Sequence, residues 1–109
     1  MNRGVKIRFD VHNILYDIYK FNKVLDNHGI RKKIADNAPK DVSFINNLTL
    51  NSMRYQFHSR KIINKYIRKK LKIHEEILLI SAITQIVYLD FKEYAVVDCS
   101  VEIAKKIKK

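Results

Sequence analysis

The sequence predicts an all-helical protein, and three observations carry that prediction. Apolar residues recur at steps of three and four along several long stretches, and no stretch alternates as a half-buried strand would require. The 109 residues include only two glycines and one proline, which leaves few places for tight turns. The third observation is the uncharged run Ile77 to Leu89, ILLISAITQIVYL. A membrane-spanning helix needs about 20 apolar residues, so this shorter run is expected to be a core helix. It requires amphipathic covers, with Ser81, Thr84 and Gln85 serving as packing and hydrogen-bonding positions.

Taken in order, the first element is expected from Val5 to about Asn27. Ile7, Val11, Ile14, Ile18, Phe21 and Leu25 follow a 4, 3, 4, 3, 4 spacing, and Leu15, Tyr19 and Val24 widen that stripe beyond a coiled-coil seam. Gly29 is expected to stop the helix in the left-handed conformation. Ile30 to Ala35 then forms a short helix carrying Arg31, Lys32 and Lys33, and Asn37 to Pro39 breaks the pattern. Asp41 is expected to cap a helix from Val42 to about Phe57. Ser59 to Leu71 follows, with Ile63, Tyr66, Ile67 and Leu71 on one face and Lys61, Lys65, Arg68 and Lys72 on the other. Glu75 and Glu76 favour the start of the apolar helix through its dipole. Asp90 to Glu93 is a connection. The last helix, from about Tyr94, sets Val97, Val101 and Ala104 beside Val96, Ile103 and Ile107.

The candidates for chemistry are few. His12, His28, His58 and His74 are scattered, without the i, i+4 or cysteine neighbours of a metal site. Asp98 and Glu102 stand one turn apart but read as exposed helix acids. Cys99 is a nucleophile only if a base meets it in the fold, and a packed small hydrophobe otherwise. Gly4 and Gly29 are the only glycines, so there is no glycine-rich cofactor loop. No catalytic residue, cofactor or metal is expected. One cysteine and no signal peptide predict a reducing, cytoplasmic setting, and nothing predicts a membrane partner.

Charge is more informative. The formal net charge is +11, which suits an anionic partner, nucleic acid first. Sixteen lysines against six arginines, with abundant Ile and Asn, also suit an AT-rich coding sequence, so distribution matters more than the total. From Val42 to His74 there is no acid, while Arg54, Arg60, Lys61, Lys65, Arg68, Lys69, Lys70 and Lys72 lie inside. That window holds eight of the eleven net charges. A solvated lysine face and a phosphate-binding face both fit this pattern, and the absence of acids favours the second. Arginines rank first because a guanidinium holds phosphate bidentately. Tyr55, Phe57 and Tyr66 are interleaved and have the chemistry to stack on unpaired bases, although the spacing predicts core positions for Phe57 and Tyr66.

These stretches resemble the NusB-like RNA-binding domain, in particular the copy at the N-terminus of Sun/Fmu-type 16S rRNA cytosine-5 methyltransferases. Arg8, Val11 and Leu15 in RFDVHNIL resemble the family's opening R-x-x-A-x-x-x-L. Phe44, Leu48 and Arg54 in FINNLTLNSMR resemble its F-x-x-x-L segment ending in Leu-Arg. ILLISAITQIVYLD followed by SVEIAKK resembles its last two helices, Val101, Glu102, Ile103 and Ala104 matching V-E-[LI]-A. Lys92 replaces the family's proline and Asp98-Cys99 its Asn-Glu.

The resemblance implies a compact bundle of about six or seven helices. Residues 1–109 would be one such domain, a fragment of a longer chain whose catalytic domain is absent. It implies a non-catalytic role in presenting ribosomal RNA to an S-adenosylmethionine-dependent enzyme. That cofactor belongs to the parent protein alone. Arg8, Arg54, Arg60, Lys61, Lys65, Arg68 and Lys69 are the expected phosphate contacts. Two alternatives stand beside this reading: a free-standing transcription antitermination factor that binds single-stranded RNA with a small ribosomal protein, and a module docking on the parent's own catalytic domain.

Overall fold

The computed structural model describes residues 2–108. Its first helix, α1 (Arg3–Phe21), starts where the Asn2 side chain accepts a hydrogen bond from the Val5 amide at 2.9 Å. It ends at Asn22, whose φ of 56° places it in the left-handed region. The stop therefore comes earlier than Gly29, because Asn also tolerates that conformation. Gly29 instead lies inside α2 (His28–Ala35), which Asn27 caps by accepting from the Gly29 and Ile30 amides. Phe21 and Val24, expected on the buried stripe, are exposed.

α3 (Pro39–Arg54) begins with Pro39 in its first turn and has Ala38 as its cap residue. Asp41 is thus the third helical residue rather than the cap, and its carboxylate takes Arg3 Nε at 3.0 and 3.2 Å. That guanidinium holds Asp41 below the usual carboxylate range, and the Asp41 carboxylate raises Arg3 in turn. α3 breaks at Tyr55, and α4 (Gln56–Tyr66) follows at once. α4 ends at Ile67, which is extended. Arg68 and Leu71, expected on the helix, lie in the 67–72 connection, where four cations in five residues would repel across successive turns.

α5 (Ile73–Ile83) opens with the Glu75 carboxylate accepting from the Lys72 amide at 2.9 Å. This is one half of a capping box; the lysine side chain has no acceptor with which to supply the other. At Thr84–Tyr88 the coil widens into a π turn, closed by Leu89 N–H donating to the Thr84 carbonyl. α6 (Glu93–Ile107) then buries Val96 and Ile103. Val97 and Val101, expected beside them, are 54% and 47% exposed, because Val96 and Ile103, seven residues apart, take the inward line.

The bundle is organised by α1 as much as by the apolar run. α1 packs against α3, α5 and α6, and α5 packs against α1, α3, α4 and α6. Val11, Ile14, Leu15, Ile30, Ile45, Leu48 and Ile77 form the core between them. Within the apolar run, the fully buried side includes the polar residues Ser81, Thr84 and Gln85, while Val87 faces outward. Burial is tolerated because Thr84 Oγ1 donates to the Ile80 carbonyl at 2.8 Å and Gln85 Nε2 to the Ser81 carbonyl at 3.2 Å. A radius of gyration of 13.2 Å is the value expected of a compact chain this long. Among the described residues no helix is long and apolar enough to cross a membrane.

Candidate nucleic-acid interface

Ser59 and Ile63 bury one side of α4. At about 100° per residue, Phe57, Lys61 and Asn64 fall opposite them, with His58 and Lys65 alongside. All five are exposed. Phe57, expected in the core, is 72% exposed, because the helix starts at Gln56 and Ser59 takes the inward position. Tyr66 points along the buried azimuth, yet the helix ends there with nothing packed beyond it, and it is 74% exposed. Lys65 Nζ lies 5.7 Å from the Tyr66 ring centre. The outer face of α4 therefore carries Phe57 at one end followed by Lys61 and Lys65, and the exposed Tyr66 lies at the helix end beside Lys65.

The seven expected cations occupy three environments. Arg54, Lys61, Lys65 and Arg68 are exposed, and among the described residues no carboxylate lies within 4.0 Å of them. Arg60 and Lys69 border the face but meet acids. Arg60 donates to Glu76 and to Gln56 and sits over the Tyr19 ring at 5.5 Å; Lys69 lies 3.9 Å from Glu75. The window that is acid-free in sequence is therefore not acid-free in space, since α5 returns Glu75 and Glu76 to its edge. Glu75 stays ionised, held below the usual range first by the Lys72 amide and then by Lys69 and Lys72. Arg8 stands apart from the other six. It donates to Gln85 Oε1 at 2.5 Å and to the Gly4 carbonyl at 3.1 Å, with its guanidinium over Phe44 and Phe91.

In the N-terminal half four of the basic residues find acids close by. Arg3 pairs with Asp41, Lys6 with Asp10, Arg31 with Asp26 and Lys33 with Asp17. Six cations of the acid-free window, Arg54, Lys61, Lys65, Arg68, Lys70 and Lys72, have no carboxylate within 4.0 Å among the described residues, so α4 and the connection after it offer an anion an uncompensated field. At the head of α4, Tyr55 stacks on Tyr88 with ring centres 3.8 Å apart, and His58 meets Tyr88 edge-on. Tyr55 is therefore engaged within the fold, whereas Phe57 and Tyr66 are exposed.

The histidines are less scattered than their positions suggest. His12 Nε2 and His74 Nδ1 are 2.9 Å apart, and Tyr16 stacks on His74. The buried His12 Nδ1 has no partner, so the tautomer with Nε2–H donating to His74 leaves only a lone pair unsatisfied rather than an N–H. Their separation in sequence gave no signal for this contact. Among the described residues no group of three or more metal-ligating side chains gathers. Cys99 is a free, half-buried thiol on α6.

A helical bundle with one uncompensated basic face agrees with a comparison against family models, in which the NusB family matches residues 6–109. The chain belongs to the NusB family. Curated proteins and solved structures, compared likewise, give no match. Membership places the chain among RNA-binding domains that are themselves non-catalytic. For a NusB domain, an exposed aromatic beside unpaired lysines has the right chemistry for RNA, since the cations meet phosphates and the ring meets bases.

Proposed function

We propose that this NusB-family chain binds single-stranded RNA along the outer face of α4 and the 67–72 connection, and that it does so for an rRNA cytosine-5 methyltransferase. The observation that carries the RNA part is Phe57, exposed beside Lys61 and Lys65, which have no acid partner among the described residues. Phe57 and Lys65 are separated by about 12 Å along the helix, enough to engage consecutive nucleotides. The methyltransferase part is supported by the stretch from Ser81 to Lys106 and by Met53-Arg54, which resemble that enzyme's N-terminal copy.

The test is a titration of a fluorescent 12-nucleotide RNA at several salt concentrations. For single strands, each phosphate contact contributes about 0.7 to the slope of log affinity against log salt. Lys61→Gln with Lys65→Gln should therefore weaken binding and flatten that slope by about 1.4. A double variant that binds with the parent's affinity and slope would reduce the face to solvated surface. Preference for a 16S rRNA fragment over unrelated RNA of equal length supports the ribosomal assignment. Binding that requires a small ribosomal protein would favour the antitermination role instead.

A further inference from the structure

On the flank of α4 turned toward the 67–72 connection lies a hollow of about 430 Å³. Tyr19, Leu71 and Ile73 give it an apolar lining over the buried Ile77, and Arg60, Lys70 and Glu76 stand at its rim. A second space of about 250 Å³ shares Arg60, Lys70, Leu71 and Glu76 with it and reaches Asn64 and Lys69. Asn64 is also on the outer face of α4, so the hollow and that face are continuous around one helix.

Three features define what the hollow can hold. Its size falls in the range of small-molecule sites. The Tyr19 hydroxyl is buried and has no hydrogen-bond partner, an exception among buried polar groups. Arg60 and Glu76 are locked side by side, with Gln56 fixing the guanidinium from behind. A free phosphate would meet the Glu76 carboxylate and apolar walls. A purely apolar ligand would leave the hydroxyl and the ion pair unanswered. A nucleobase answers both, because it is flat and apolar on its faces and carries donors and acceptors on its edge.

We propose that this hollow accepts one base turned out of a single-stranded RNA lying on α4, with that nucleotide's phosphate at Lys69 and Lys70. The Tyr19 hydroxyl and the Arg60–Glu76 pair meet the edge of the base, and Leu71 and Ile73 meet its faces. The inference rests on the RNA-binding reading of α4, and its test separates the two.

The experiment compares a 12-nucleotide RNA with the same oligomer carrying abasic nucleotides in its centre, each titrated against the parent, Tyr19→Phe and Leu71→Trp. Tyr19→Phe removes a hydroxyl without a partner and keeps the ring, so its thermal midpoint should equal or exceed the parent's. It should bind the intact RNA about fivefold more weakly, bind the abasic RNA as the parent does, and keep the parent's salt slope. Leu71→Trp, which fills the hollow, should show the same selective loss. If both variants bind the intact RNA like the parent, or lose affinity equally for both oligomers, no base enters the hollow. If the parent binds neither oligomer, the RNA-binding reading of α4 fails and the base site fails with it.

Discussion

Acidification should destabilise this protein in a pH range that precedes carboxylate titration, and His12 is the reason. Its ring is 1% exposed, and burial, with a smaller contribution from the charge of His74, pushes its pKa down to about 4. In the unfolded chain a histidine titrates near about 6.5. Between those values the unfolded state binds a proton that the folded state refuses, so stability falls as pH falls. The span corresponds to about 3 kcal/mol, fully lost once the pH reaches the folded value. That is a large share of a typical domain's stability of about 5–15 kcal/mol. Asp41 and Glu75, whose folded values are lowered, are stabilising above their unfolded values and lose that contribution only at lower pH, so the two windows separate. Urea denaturation followed by circular dichroism from pH 7 to pH 4 reads the slope directly. His12→Gln keeps a donor toward His74 but does not titrate. It should be less stable than the parent at pH 7 and nearly flat down to pH 4.5. A variant that keeps the parent's slope would refute the assignment to His12.

Three further outcomes follow from the packing and the interface. Phe57→Ala should weaken RNA binding by about 1–3 kcal/mol, the worth of one stacked base, while urea denaturation shows stability within about 0.5 kcal/mol of the parent. Arg8→Ala should cost about 1–3 kcal/mol of stability by stranding the buried Gln85 acceptor and, because it loosens the turn that positions α4, should weaken RNA binding less than Phe57→Ala does in the same titration. Leu48→Ala, at a fully buried core position, should cost about 3 kcal/mol by the same denaturation assay.

Much of the bundle is legible in the sequence because its helices are amphipathic with a regular period. The stripe from Ile7 to Ile18 and the apolar run from Ile77 both become core helices. What is not legible depends on contacts distant in sequence. The break between α3 and α4 was legible to within a few residues, expected between Phe57 and Ser59, but its position at Tyr55 was not; no glycine or proline stands there, and the stacking partner Tyr88 is 33 residues away. The early stop at Asn22 was masked by Gly29, the more common residue for that role. The basic face was legible as a charge run, but its limits were not. Glu75 and Glu76 lie just beyond the acid-free window in sequence and beside Lys69 and Arg60 in space. Phe57 and Tyr66 read as core because a helix placed from Ser59 turns Tyr66 inward and leaves Phe57 before its start.

Arg8 shows how a half-buried cation contributes to a surface it does not touch. Its guanidinium fixes Gln85 in the π turn, which also receives Phe91 N–H at the Gln85 carbonyl. The widened coil sets Tyr88 against Tyr55, at the break where α4 begins. That break fixes the rotation of α4 about its own axis, and the rotation decides that Ser59 and Ile63 face inward while Phe57 and Lys61 face out. π turns are costly departures from regular helix and recur at functional sites. Here the departure aims a helix rather than a single side chain. The polar residues within the apolar run are therefore not interruptions of a core helix: Thr84 and Gln85 belong to the turn that holds the basic face in position.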